Sequence, residues 1–386
     1  MTTPTASLPH AFVSRRWFLG GAAVATAALA GCAAGSSGST SAGTTATAAS
    51  SATATGEAAS GSVAALAQAF LATLTDDQQA TTLLDYTLTN AQAWSNLPQA
   101  LLGASGGGPG GGMGNSAPRV GLSIGELSDE QLSAFETLLK AATGSKTGLG
   151  YDEITQHLNA DDYLEANGGG NDYGRANYYV AILGSPQDSG TWEFQFGGHH
   201  LAVANTYTDG ALAGATPSFR GIEPNAAFDL NGTTNQPMKV KEAAFQAMLA
   251  GLSDDQLSSA RLSDTFSDLV LGPGQDWSFP TDKLGVQVST LSSEQKDLVL
   301  AAVATYVEDV TDADAATILT RYTSELDQTY IAYSGTTQLT EQNDYVRIDG
   351  PSVWIEFSMQ RGIVLSGNHP HSLWRDRTTD YGGTKS

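Results

Sequence analysis

Four times along the chain a leucine is followed by Ser or Thr and, three residues after that hydroxyl, by Gln: Leu74-Thr75…Gln78, Leu127-Ser128…Gln131, Leu252-Ser253…Gln256 and Leu291-Ser292…Gln295. Each pattern predicts a helix start, with the hydroxyl capping the third helical amide and Gln reaching back to the cap amide. Asp76-Asp77, Asp129-Glu130, Asp254-Asp255 and Glu294 fill the first turns, where the helix dipole favours negative charge. Leu127 with Leu132, and Leu252 with Leu257, have hydrophobic-staple spacing. Tyr151–Ala166 reads as a further helix, carrying His157 as a surface or packing residue and Asp161-Asp162 on a solvated face.

The boxes recur in order. Phe70, Leu71 and Leu74 before the first are echoed by Met248, Leu249 and Leu252 before the third, and Gln92-Ala93-Trp94-Ser95 by Gln275-Asp276-Trp277-Ser278. Each helical run leads into short aromatic and β-branched stretches: 178–182, 191–196 and 201–205, then 330–333, 345–348 and 353–357. Such stretches, split by Gly, Asp and Ser, predict antiparallel strands. The expected fold class is α+β. A duplicated helical unit plus antiparallel strands should give two pseudo-equivalent halves, about 61–225 and 238–382, packed as one body. Trp94, Trp277 and Trp354 are expected in the core.

The N-terminus reads as an address. Arg15 and Arg16 precede the apolar stretch 19–30, the layout of a twin-arginine secretory signal covering 1–31. Leu29-Ala30-Gly31-Cys32 resembles a lipobox, with Cys32 as the lipidated first residue of the mature chain. Residues 32–60, almost wholly Ser, Thr, Ala and Gly beyond the cysteine, predict a disordered tether. The expected location is the cell envelope, extracytoplasmic, held to the membrane by the N-terminal lipid. The glycine-rich run 103–114 formally contains a dinucleotide fingerprint, but no strand precedes it and no capped helix follows, so it reads as a loop. A formal net charge of −22 argues against nucleic acid, whose phosphates require clustered cations, and the single cysteine excludes a disulfide framework and any Cys-based zinc site.

Candidate chemistry concentrates in histidines. Gly198-His199-His200-Leu201 follows a predicted strand, where consecutive side chains should face opposite sides and offer at most one easy ligand. His369 and His371 flank Pro370, which favours an extended backbone with both rings pointing the same way. One histidine of the first pair plus both of the second would make a three-imidazole set, with Glu223 or Glu356 as fourth ligand or general base. Such donors suit Zn, Fe, Mn or Cu, and the missing thiolates favour no soft metal. The same histidines also suit a metal-free catalytic or binding cluster. Arg375 lies in a nearly neutral C-terminal segment of an acidic chain, where it could orient a small anionic ligand, or it could pair with the adjacent Asp376.

Gly198-His199-His200-Leu201, the stretch Thr216–Pro224, and His369-x-His371-x-x-Trp374-Arg375-Asp376 with Asp380-Tyr381-Gly382 resemble the domain-of-unknown-function 3500 family over about residues 61–382. The resemblance implies that these residues form one site and assigns no reaction; the glycine-rich insert departs from the family pattern. Two functions follow as expectations. One is an exported, lipid-anchored metalloenzyme, a hydrolase or metal-dependent oxidoreductase with catalytic candidates Glu223, Glu356, Arg375 and Asp376. The other is a solute-binding lipoprotein of the cell envelope without catalysis. Both require the two histidine stretches to meet.

Overall fold

All four predicted caps form. Thr75, Ser128, Ser253 and Ser292 accept from the amides of Gln78, Gln131, Gln256 and Gln295, whose side chains return the bond. The box glutamines also pair with one another: Gln131 Nε2 donates to Gln78 Oε1 at 2.8 Å, and Gln295 Nε2 to Gln256 Oε1 at 2.7 Å. The motif that starts each helix therefore also fastens consecutive helices together.

The computed structural model describes residues 61–102 and 118–385, all within one compact unit. The signal with Arg15 and Arg16, the lipidation candidate Cys32, the tether and the glycine-rich insert lie outside the described residues. The main helices are α1 (Val63–Thr73), α2 (Asp76–Thr82), α3 (Asp129–Ala142), α4 (Gly150–Leu164), α5 (Lys239–Ala250), α6 (Asp254–Ala260), α7 (Ser293–Val307) and α8 (Asp312–Glu325). The main strands are β1 (Tyr179–Leu183), β2 (Thr191–Gly198), β3 (Leu201–Thr208), β4 (Ser218–Gly221), β5 (Tyr330–Ser334), β6 (Tyr345–Asp349), β7 (Val353–Arg361) and β8 (Asn368–Asp376). They form one sheet in the order β1-β2-β3-β4-β8-β7-β6-β5, with two-residue strands at its margins. The fold is α+β, as the hydrophobic pattern predicts.

Two relationships repeat across this sheet. Leu122 and Ser123 pair with Val180 and Tyr179 of β1, as Val286 and Gln287 pair with Ile331 and Tyr330 of β5. Leu83 runs parallel to β1, and Arg261 makes a parallel bridge to β5. The central strands β4 and β8 were not among the predicted six. They are antiparallel, with Gly221 opposite His371 and Arg220 opposite Ser372.

Alternation on the strands separates the two faces. Helices α1, α3 and α4 cover one end of the first face through Phe70, Phe135, Leu138 and Ile154, and α5, α7 and α8 cover the other through Phe245, Val299, Val303 and Tyr322. Irregular segments cover the opposite face, burying Trp94, Leu271, Trp354 and Tyr381 against Phe219 and Leu373. Trp94 and Trp354 are buried and Trp277 partly so, the expected core placement. The segment 262–271 is a strap across this loop face. Leu262 donates to Tyr333 O, Phe266 stacks on Tyr345 at 4.0 Å, and Val270 and Leu271 donate to Glu356. His369 and His371 point from β8 to this loop face, alongside Leu373 and Arg375.

Candidate metal centre

The first histidine pair sits in a tight turn rather than on a strand. Gly198 pairs with Leu201, leaving His199 and His200 as the two turn residues, with His200 in the left-handed region at φ 62°. The expectation of opposed side chains therefore fails: the two rings stack, with centroids 3.7 Å apart. Arg119 holds this turn by donating from Nη2 to the carbonyls of Gly198, Ser95 and Leu97, and Asn96 O accepts from His200 N. Gly221 lies opposite His371, and a Cβ there would come within 3.1 Å of both the His200 and His371 rings. Glycine is the residue that lets the two imidazoles close on each other.

Three imidazoles converge. His371 Nε2 lies 3.1 Å from His200 Nε2 and 3.3 Å from His369 Nε2. Among the described residues, these three are the group whose ligand atoms meet, all within 4.8 Å of one another and all buried. Two nitrogens held tetrahedrally at about 2.0–2.1 Å from one ion lie about 3.3 Å apart, so the observed spacing fits a shared cation. His371 Nδ1 lies 3.0 Å from Asp268 Oδ1, so its proton goes to the carboxylate and a bare Nε2 faces the other two rings. One lone pair cannot serve two donors in line, whereas one cation accepts all three nitrogens. Burial, then the neighbouring imidazoles, push His200 and His369 well below the ordinary histidine range, which keeps them in the neutral form a metal needs. With a side chain 47% exposed, Asp268 marks the solvent edge of the site.

His199 turns away from this group. Its Nδ1 lies 2.6 Å from Asp161 Oδ1, and Asp161 also accepts from Gly174 N at 2.8 Å. Asp161 is buried, contrary to the solvated face expected for it, because α4 turns Glu153, His157 and Asp161 inward together. Their i, i+4, i+8 spacing is the signal that could have found this buried polar stripe. His157 is a packing residue: its Nδ1 meets Glu153 O at 2.9 Å, and burial drives its pKa down to about 3.

The remaining candidates are drawn elsewhere. Glu356 receives four donors, from Val270 N, Leu271 N, Tyr345 Oη and Trp354 Nε1, and anchors the strap. Glu223 lies two residues past Gly221, with Oε1 holding the amides of Val364 and Leu365. Arg375 is fully buried between Asp276 at 2.9 Å and Asp380 at 3.0 Å, with Nε on Leu271 O, so its charge is already neutralised within the protein. Asp376 points to the other face, accepting from Tyr322 Oη at 2.6 Å and from Arg321, and capping Thr378 and Thr379. Arg375 and Asp376 do not pair, because consecutive strand residues face opposite ways.

A cavity of about 500 Å³ lies elsewhere on the same sheet face, beside the strap, and no imidazole lines it. Convergent ligand nitrogens are the more specific of the two features. The family model described as protein of unknown function (DUF3500) matches residues 56–383. The chain belongs to the DUF3500 family. No curated protein and no solved structure matches it. In this DUF3500 protein the two histidine stretches meet at a single place, bringing together His200, His369 and His371 with Asp268 behind them.

Proposed function

We propose that this protein is an exported, lipid-anchored metalloenzyme whose centre is a divalent ion held by His200, His369 and His371. The observation that carries the reading is the 3.1 and 3.3 Å spacing of three buried Nε2 atoms. Three imidazoles would hold the ion and leave room for water or substrate, the ligand count of catalytic rather than structural zinc. No carboxylate joins the convergent set among the described residues, which distinguishes it from the two-histidine, one-carboxylate triad of iron oxygenases. The reading therefore favours zinc and hydrolysis over iron oxygen chemistry.

Bound there, such an ion would lower the pKa of its water toward neutrality, the chemistry that hydrolysis needs. The chain's own part is to keep His200 and His369 neutral by burial, to orient His371 through Asp268, and to close the rings over Gly221. Arg15, Arg16 and Cys32 support export in the folded state followed by lipid attachment, an order that allows the ion to be inserted before export. The repeated boxes, glutamine pairs and strand pairings support descent of the two halves from one duplicated unit.

Metal analysis of protein purified after native export is the test. About one equivalent of zinc, lost in His371→Ala, supports the reading; less than a tenth of an equivalent of any transition metal ends it. Retention of the protein in the membrane fraction, abolished by Cys32→Ser, tests the anchor separately.

A further inference from the structure

The cavity beside the strap lies on the same sheet face as the imidazoles. Ser334, which lines it, pairs across the sheet with Tyr345, Tyr345 with Ser358, and Ser358 with His371. Directly paired residues share a face, so groove and metal centre stand in one cross-strand row, three strand spacings or about 14 Å apart. Segment 262–271 spans them. Leu262 to Thr265 line the groove, Phe266 lies on Tyr345 midway, and Asp268 reaches His371.

The lining is polar. Arg261, Ser263, Asp264, Thr265, Gln342 and Asn343 all contribute to the groove wall. Arg261 bridges to Tyr333 and packs its guanidinium over that ring on the helix face, so it borders the groove without turning its charge into it, while the backbone carbonyl of Asp264 accepts from Ser334 Oγ at 2.6 Å. Among the described residues no cation turns into the groove to hold an anion, and hydroxyls and amides supply donors and acceptors in several directions. Leu262 is the one large apolar side chain in the lining. Such a wall suits a ligand that is uncharged and rich in hydroxyls, and it offers little to an acyl chain or an aromatic ring.

We infer that this groove is a subsite for a neutral carbohydrate, and that the substrate is a short oligosaccharide or glycoconjugate extending along the strap toward the imidazoles. The inference rests on the metalloenzyme reading only for the far end of that substrate. Carbohydrate held in the groove would spend binding energy on placing the reacting group at the centre, a contribution that does not depend on the ion.

The test titrates the full chain with maltotriose, cellotriose and chitotriose, followed by calorimetry and by chemical-shift changes in residues 261–268. The expected result is binding of at least one trisaccharide with shifts confined to the groove and strap. Ser263→Trp, which fills the groove, and Asn343→Ala should each weaken it at least tenfold while thermal unfolding stays within a few degrees of wild type. His371→Ala, lacking metal, should bind the same sugar with unchanged affinity, which separates this subsite from the centre. Absence of binding by all three sugars, or binding that neither groove variant weakens, overturns the inference whatever the metal content proves to be.

Discussion

His200 and His371 stand 171 positions apart in the chain, yet their Nε2 atoms are 3.1 Å from each other across the β4–β8 seam. His200 enters from a turn at the end of β2, and His371 from the middle of the strand that pairs with β4. Neither stretch alone offers more than two imidazoles to an ion, so binding a metal ties the two halves of the sheet together.

The proposed ion depends on both halves of that clasp. His200→Ala and His371→Ala should each lower bound zinc from about one equivalent to below a tenth, measured by elemental analysis. Because a metal that binds the folded state alone stabilises it by mass action, about 2.7 kcal/mol at a hundredfold excess over Kd, chelation should lower the thermal midpoint of wild type by several degrees. The same chelator should leave the midpoints of the two variants unchanged.

Asp268→Asn isolates the partner behind the ligand. The amide can still meet His371 Nδ1 but no longer fixes the tautomer with a charge, and losses of outer-shell partners typically weaken metal affinity by about 10–100-fold. The variant should hold metal at saturating zinc and lose it in competition with a chromophoric chelator that wild type resists. Unchanged competition would show that Asp268 contributes nothing to the centre.

Much of this architecture was legible because it rests on local chemistry. The capping boxes mark helix starts wherever they occur, and β-branched alternation marks the six outer strands. The site was legible in part. Proline between His369 and His371 did signal an extended segment with both rings on one face. Asp268 was not legible, since nothing in Ser267-Asp268-Leu269 distinguishes a histidine partner from a loop acid until the strap is laid across β8. Arg375 and Glu356 misled for a related reason. A charged residue beside histidines, as Arg375 is, or set between apolar strand residues, as Glu356 is, resembles a site residue in sequence, but alternation on the strand and the loop covering it decide whether the charge is free. Arg375 meets Asp276 and Asp380, and Glu356 meets the strap amides.

On the helix side of the same seam, Lys241 from α5 lies between Glu153 of α4 at 2.6 Å and Asp309 at 3.1 Å, and Arg220 of β4 reaches both acids. Lys241 and Glu153 have no solvent exposure. Breaking one member of such a group leaves an uncompensated buried charge and costs about 3–5 kcal/mol. Lys241→Met alone should lower the unfolding free energy measured in urea by that amount. Lys241→Met with Glu153→Gln should recover a large part, since an amide does not need the missing cation. Additive losses in that cycle would show that the two residues are not coupled.

Glu193 sets a pH dependence far from the imidazoles. It is fully buried on β2, with Thr206 Oγ1 donating at 2.9 Å and Gln195 Nε2 at 3.3 Å. Burial outweighs both hydrogen bonds and raises its pKa from 4.5 to about 8. A carboxyl raised on folding binds its proton more tightly in the native state than in the unfolded one. Its contribution is therefore fully present below about pH 4.5 and is lost progressively as pH climbs through about 8. Glu193→Gln mimics the protonated acid in shape and cannot ionise. At pH 5 the variant should match wild type to within about 1 kcal/mol, and by pH 9 it should be more stable by a few kcal/mol, since a tenfold difference in proton affinity between the two states corresponds to about 1.4 kcal/mol. Urea unfolding at pH 5, 7 and 9 reads the difference directly. A gap between the two proteins that stays constant across that range would mean that Glu193 is already ionised at pH 5 in the native state.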